Sequence, residues 1–197
     1  MGPGRLVADG VVGTSKPVRR WLATHLYTSG AGVFAAAMDR TQDSEDRGTY
    51  DVDDERLTAA ILSGLQYLGR HARDRAAASG NAQLQVSMHP VSGRRPLRLV
   101  HHRAYGITEA ISREQVVTMA PVNTVADVDD LATGGAELVA AAYRLGSGVA
   151  QSFGAAESLQ LTPDGQLRRP YWSTSSWRPG VEAWAAPLQV DWTDELL

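Results

Sequence analysis

The chain has 197 residues, of which 43% are hydrophobic and 21% are charged, a composition typical of a globular protein with one sizeable core. It contains no cysteine, which excludes disulfides, thiolate zinc sites and a cysteine nucleophile. The net charge of −3 does not favour a dedicated nucleic-acid-binding domain. Since no apolar run is long enough to span a membrane and the first residues lack the pattern of a secretory signal, we expect a cytoplasmic protein without membrane contact.

Charge is distributed unevenly along the chain. No acidic residue occurs between Gly80 and Thr108, a stretch that contains several arginines and histidines. Many of the acids lie instead between residues 39 and 55, with only Arg40 and Arg47 as basic neighbours. Such segregation gives parts of the protein surface a net positive or negative charge, and a charged surface favours partners of the opposite charge.

The amino-terminal part of the chain is expected to form a loose arm and one helix. Residues 1–16 are rich in glycine and show no pattern, whereas residues 17–197 are expected to form a single α+β domain. Pro17 suits a first helical turn, and apolar residues at helical spacing after it predict a helix over about 17–28. The acidic segment 39–53 is expected to be a loop.

The clearest predicted element is a helix that begins after Asp53 or Asp54. An acid at the cap, and Glu55 in the first turn, are favoured by the helix dipole. Gly80 ends the pattern after several basic residues. The apolar stripe of this helix contains Leu57, Ile61, Leu65, Leu68 and Ala72.

Three strand-like runs follow this helix: Leu84 to Met88, Leu97 to His101 and Gln115 to Ala120. The first two flank a turn-rich segment, PVSGRRP, and are therefore predicted to form a hairpin. Alternation places Leu84, Val86 and Met88 on one face of this hairpin, and in the second strand it separates Leu97 and Leu99 from Arg98 and Val100.

A second long helix is predicted from about Asp127 to Phe153. Its apolar stripe is interrupted by many glycines and alanines, so another element is expected to approach its backbone closely. A final hairpin is predicted around the turn Thr162-Pro163-Asp164-Gly165, between strands 158–161 and 166–172. The Trp- and Pro-rich tail after it is expected to pack irregularly across the body.

These elements predict the α+β class, with a mostly antiparallel sheet of about five strands packed against two long helices. No motif in the chain is the signature of a known family, and a fold class alone does not specify a function.

The histidines do not form a metal-binding pattern. His101 and His102 are adjacent on a predicted strand and would point to opposite faces, so at most one of them could join His71 or His89 in a site. No HExxH motif is present. We therefore predict no metal and no cofactor.

The basic hairpin is the best candidate for a nucleic-acid contact. Arg94 and Arg95 would lie at its tip, where guanidinium groups could contact phosphates, with Arg98 and Arg103 beside them. The alternative is a solvated turn whose charge serves solubility.

A second basic and aromatic cluster lies between Leu167 and Gly180. Such a set can bind a protein partner or single-stranded nucleic acid, or can close the core beneath a loop. Its members are Arg168, Arg169, Tyr171, Trp172, Trp177 and Arg178.

Three functional hypotheses follow. The first is a non-enzymatic interaction or regulatory module that acts as a homo-oligomer or within a larger assembly, through the thin helix and the opposed charged segments. The second is a nucleic-acid-binding regulator that uses the hairpin 89–103. The third, and least supported, is an enzyme in which His101 or His102 works with Glu109 and Glu114.

Overall fold

The computed structural model describes residues 4–10, 20–38, 49–88, 96–102, 108–111, 114–174 and 177–197. Within these ranges the chain forms both helices and small sheets, which confirms the α+β class. The strands are β1 Gly4–Gly10, β2 Arg20–Leu26, β3 Gly32–Ala36, β4 Tyr50–Asp53, β5 Asn81–Val86, β6 Leu97–His102, β7 Thr108–Ala110, β8 Val122–Asp127, β9 Leu167–Arg168 and β10 Trp192–Thr193. The α-helices are α1 Asp54–Arg70, α2 Val128–Thr133, α3 Ala136–Ser152 and α4 Arg178–Ala185.

The strands form four small sheets, so the prediction of one sheet of about five strands is wrong for the part of the chain described. β1, β2 and β3 form an antiparallel sheet. β6 lies between β4, to which it is parallel, and β7, to which it is antiparallel. Two pairs complete the set, antiparallel β5 with β8 and parallel β9 with β10.

The predicted hairpin of Leu84–Met88 with Leu97–His101 does not form. β5 alternates between more and less exposed residues and pairs with β8. Helix α3 covers one face of this two-stranded unit. In β6, by contrast, Leu97, Leu99 and Val100 are all buried, which requires a central strand covered on both faces. Of the predicted strand 115–120, the structure retains a single bridge, between Leu97 and Val116.

The amino-terminal segment forms strands where a helix and a loose arm are expected. β2 occupies most of the predicted helix 17–28, and β1 lies within the predicted arm 1–16. Gly30, one of the glycines that interrupt the helical spacing, has a φ of +87° and belongs to the turn that joins β2 to β3. This turn allows the two segments to pair as strands where a helix is predicted. Phe34 of β3 then packs directly against Gly64 of α1.

Helix α1 agrees with its prediction. The Asp53 side chain caps it by accepting a hydrogen bond of 3.1 Å from the backbone N–H of Arg56. Its stripe residues Leu57, Ile61 and Leu65 are buried in the core. A π-helical turn, His71–Arg75, continues the helix toward Gly80.

The predicted second helix is divided into α2 and α3 by Gly134 and Gly135. Both have positive φ (97° and 79°), a conformation that ends the helical hydrogen-bond pattern and favours glycine. The predicted close approach to α3 is confirmed, because Val122 of β8 lies directly against Gly148. A Cβ on Gly146 would similarly meet the Cβ of Ser158 at 3.5 Å.

The last part of the chain forms a strap, which we define as the described residues 167–174 and 177–197. The turn before it is the predicted one, with Gly165 at a positive φ of 90° and a bridge between Leu161 and Leu167. The strap passes over α1, where the Trp184 indole N–H donates to Gln66 Oε1 at 3.0 Å. Trp172, in the same segment, is 1% exposed and belongs to the main core. No helix within the described ranges is long and apolar enough to cross a membrane.

Candidate functional site

Three consecutive acids are buried at the amino end of α1. Asp53, Asp54 and Glu55 are 7%, 4% and 0% exposed, respectively. Their position follows from the local sequence, since β4 runs directly into α1 without a loop and Asp53 is both the last residue of the strand and the helix cap. Because β4 pairs with β6, the same arrangement brings the acids next to His101. We call these four residues the acid cluster.

Asp54 is the centre of a buried hydrogen-bond network. Both of its carboxylate oxygens lie 3.0 Å from Nδ1 of His101. Gln160 donates from Nε2 to Asp54 Oδ2 at 2.5 Å and accepts through Oε1 from the Thr58 hydroxyl at 3.2 Å. Burial raises the pKa of Asp54, although the hydrogen bonds from His101 and Gln160 favour its ionised form.

His101 forms the cationic side of this pair. Burial disfavours its charged form, but the hydrogen bond to Asp54 and the surrounding carboxylates outweigh burial, so the pKa of His101 is raised. The ring of Tyr171, from the strap, contacts the imidazole edge-on at a centroid distance of 6.2 Å. The His101–Asp54 pair therefore lies beside Tyr171 of the strap.

Glu55 has a different environment from Asp54. Its Oε1 accepts a hydrogen bond from the backbone N–H of Ser173, while the buried Oε2 has no hydrogen-bond partner among the described residues. Burial raises the pKa of Glu55 from 4.5 to about 7, and the negative charges of Asp53 and Asp54 act in the same direction. Glu55 thus changes its charge near neutral pH.

A small cavity adjoins the network. Its volume of about 10 Å³ accommodates about one water molecule, far less than an organic substrate needs. Its polar lining includes Asp54, Thr58, Ser158 and Gln160. Because the Ser158 hydroxyl is buried and has no partner among the described residues, a single water is the ligand that this cavity suits.

The residues of the predicted basic hairpin are only partly described. Arg94, Arg95 and Arg103 lie outside the described residues, and so does most of the acidic segment. Arg98 forms a bidentate ion pair with Asp51, with two N–O distances of 2.9 Å. The basic and acidic segments therefore meet at this point within one chain.

The predicted site of His101 or His102 with Glu109 and Glu114 stays a prediction, because the side chains of His102 and Glu109 lie outside what the structure describes. His101 pairs with Asp54, which the sequence identifies only as a helix-capping acid. Glu109 lies opposite His101 in the β6–β7 register, and Glu114 is exposed. The partner that the structure shows for the His101 ring is therefore Asp54, a residue that the sequence analysis did not place in this site.

The basic and aromatic cluster of the strap is largely engaged within the chain. The Arg168 guanidinium, 3% exposed, donates to the carbonyls of Ser158 (3.1 Å) and Leu161 (2.6 Å). Trp172 is buried, Trp177 is partly buried against the core, and Arg178 donates to the Trp172 carbonyl at 3.0 Å.

Two members of that cluster lie nearer the surface. Arg169 is 3.4 Å from an Asp194 carboxylate oxygen and stacks over the Trp192 ring at 5.3 Å. Tyr171 accepts a hydrogen bond of 2.8 Å from the Leu197 backbone N–H. Binding of a partner or of nucleic acid by this cluster stays a prediction, and its buried members would act by shaping the strap.

The β2–β3 strand pair, whose strand β3 packs against α1, carries exposed apolar side chains. No Asp, Glu, Lys or Arg occurs between Arg20 and Asp39. Gly32 and Phe34 point toward α1, so the intervening Val33 points away from it and is 52% exposed. Leu22 and Tyr27 are each 43% exposed, but Leu22 pairs with Ala36 and therefore lies on the α1-facing side of the sheet, not on the side of Val33. We call this surface, carried by residues 22–38, the uncharged strand pair. The absence of acidic and basic residues from this segment is a signal that could have been noticed in the sequence.

No group of three or more His, Asp or Glu side chains in the described ranges is arranged to hold a metal ion. No family model matches the chain, and neither a curated protein nor a solved structure matches it. Its function must therefore be argued from the acid cluster and the uncharged strand pair.

Proposed function

We propose that the chain is a non-enzymatic interaction module that self-associates through the uncharged strand pair. The observation that carries this proposal is the 52% exposure of Val33, on the sheet face turned away from α1, in a segment that contains no Asp, Glu, Lys or Arg. Solvent-facing strand surfaces usually carry polar or charged residues, and contiguous apolar surface is typical of interaction sites.

A second copy of the chain is the partner that this surface fits. In a two-fold symmetric dimer the same patch meets itself, so like charges on the patch would repel each other. The uncharged strand pair avoids that repulsion. The small-residue face of α3, which the sequence offers for helix contact, is occupied by Val122 and Ser158 of the same chain and contributes less to such an interface.

The test is the oligomeric state of the full chain and of two matched variants. Val33 and Val125 both lie in strands and are 52% and 50% exposed, but only Val33 belongs to the uncharged strand pair. Size-exclusion chromatography with light scattering over a concentration series should show a dimer for the wild type. The variant Val33→Arg should weaken association about tenfold or more, corresponding to about 1.4 kcal/mol, whereas Val125→Arg should not change it.

The salt dependence of dimer dissociation distinguishes this interface from one formed by the acidic and basic segments. Ion pairs between exposed charges weaken as ionic strength rises, so a dimer held by those segments should dissociate in about 1 M NaCl. A dimer held by the uncharged strand pair should persist. A monomeric wild type, or an equal effect of the two arginine variants, would refute the proposal.

Nucleic-acid binding by the segment 89–103 is the second candidate, supported by the absence of acids between Gly80 and Thr108. It predicts that affinity for a mixed nucleic-acid pool falls steeply with salt and that Arg94→Ala combined with Arg95→Ala weakens binding to all sequences alike. An affinity unchanged by this double substitution would dispose of the hypothesis.

A further inference from the structure

Glu55 is covered by the strap at the point where the strap enters the core. Ser173 supplies the backbone N–H that donates to Glu55 Oε1, and its neighbour Trp172 is 1% exposed. Arg178 holds this part of the strap closed by donating to the carbonyls of Trp172 and Arg169. Any hydration of the Glu55 carboxyl therefore requires this part of the strap to move.

We propose that the strap is a proton-controlled element, docked on the amino end of α1 when the Glu55 carboxyl is protonated and loosened when that carboxyl ionises. This inference is independent of self-association through the uncharged strand pair, because it concerns a different face of α1.

The geometry gives the ionised carboxylate too few partners. Glu55 is 0% exposed, and of its two oxygens only Oε1 accepts a hydrogen bond from the described chain. A buried carboxylate oxygen without a donor loses its hydration without replacement, which is unfavourable. The protonated carboxyl is neutral, so it can stay in the buried site without the cost of a dehydrated charge.

The neighbouring charges strengthen the effect. Asp53 and Asp54 face Glu55 from its own helix, and their carboxylates disfavour a third negative charge. His101 faces the cluster from β6, but its ring nitrogen Nδ1 is committed to Asp54. Ser173, the group from the strap, is neutral, and its hydrogen bonds to Glu55 partly offset the repulsion.

The difference between the pKa of Glu55 in the docked and in the open state sets how strongly strap opening depends on pH. With a pKa of about 7 when the strap is docked and an ordinary value of 4.5 when the carboxyl is hydrated, the docked state binds the proton more tightly. Opening of the strap then becomes roughly 70-fold more favourable between about pH 5 and about pH 8.

Hydrogen–deuterium exchange of the full chain, corrected for the intrinsic pH dependence of amide exchange, measures this opening. Protection of peptides from the strap should fall by tens of fold over this pH range, while peptides from α3 around Leu138 and Leu145 should keep theirs. In Glu55→Gln, which keeps the size of the side chain but cannot ionise, protection of the strap should be independent of pH.

Glu157→Gln is the matched control. Glu157 also contacts the strap, with its Oε2 3.6 Å from a guanidinium nitrogen of Arg168, yet it lies outside the acid cluster. This variant should retain the pH response of the wild type. A flat wild-type profile, or an unchanged response in Glu55→Gln, would overturn the proposal.

A second variant tests the assignment without removing the carboxyl. The Ser173 side chain hydrogen-bonds to Glu55 and lowers its pKa, so Ser173→Ala should move the midpoint of strap opening to higher pH. A midpoint that stays in place or moves to lower pH would contradict control by Glu55, even if Glu55→Gln fails to fold.

Discussion

The substitution Gly69→Ala, which adds one methyl group to α1, should push α2 away from α1. A Cβ at this position would lie 2.6 Å from the Leu131 Cβ and 2.8 Å from the Leu131 carbonyl carbon, and the second of these atoms is backbone. Since carbon atoms pack at about 3.5 Å or more, α2 would have to move by about 1 Å. Leu131 and Ala132 are 2% and 1% exposed, so this movement disturbs the core.

The magnitude follows from two opposing contributions. Alanine favours a helix over glycine by about 1 kcal/mol, but overpacking of a close contact destabilises by about 1–3 kcal/mol or more when backbone must move. We expect Gly69→Ala to lower the free energy of unfolding by about 2 kcal/mol, which corresponds to a decrease of about 6 °C in Tm for a chain of this size.

Urea denaturation and thermal unfolding, followed by circular dichroism, measure both quantities. Gly180, in the first turn of α4, is the control, because a Cβ there meets no atom within 4 Å. Gly180→Ala should therefore be neutral or stabilising by about 0.5 kcal/mol. If Gly69→Ala proves as stable as the wild type, the close packing of α1 on α2 is wrong.

Three further predictions concern polar groups. Because the pKa of Glu55 is about 7 in the folded chain and ordinarily 4.5, the folded state holds a proton that the unfolded chain has released. The free energy of unfolding should thus fall by about 3 kcal/mol as pH rises from about 4.5 to about 7, and urea titrations of the wild type and Glu55→Gln at both ends of this range should differ in that slope. A double-mutant cycle of Arg98→Ala and Asp51→Ala should give a coupling of about 1 kcal/mol, since this bidentate pair is only about one-fifth exposed; additive effects would contradict it. Trp184→Phe should destabilise by about 1–2 kcal/mol in urea denaturation, because it leaves the Gln66 Oε1 atom, at 3.0 Å from the indole nitrogen, without its donor.

The sequence predicts best what is determined locally. Helix α1 follows from an acidic cap and an apolar stripe within one segment, and the structure has both. The break between α2 and α3 is also legible in the adjacent Gly134 and Gly135, although the continuous apolar stripe across them favours one helix. Small residues at Gly146 and Gly148 correctly indicate close contact but do not identify the neighbour.

Strand pairing could not be predicted in the same way. β5 and β6 are adjacent in sequence with a turn between them, which favours a hairpin, yet each pairs elsewhere. The choice depends on burial: β6 is covered on both faces, whereas β5 has one exposed face. The apolar spacing of 17–28 was compatible with a strand as well as a helix, and pairing of β2 with β3 decides between them.

The candidate site shows the same division. Asp53, Asp54 and Glu55 are recognisable as acids of a first helical turn, where they would ordinarily be solvated. Their burial depends on Gln160 and Ser173, which lie more than 100 residues further along the chain. The charge-free segment of the uncharged strand pair is legible in the sequence, but its exposure required the orientation of Val33 away from α1.

The distance in sequence between α1 and the strap has a consequence for synthesis of the protein. Glu55 and Ser173 are 118 residues apart, as are Gln66 and Trp184. At the usual rate of translation, about 6 to 24 s separate the appearance of α1 from that of the residues that cover it. During that interval α1 lacks the strap residues that cover Glu55 and Gln66, and the core lacks Trp172. The core around the amino end of α1 can therefore close only after the strap has been synthesised.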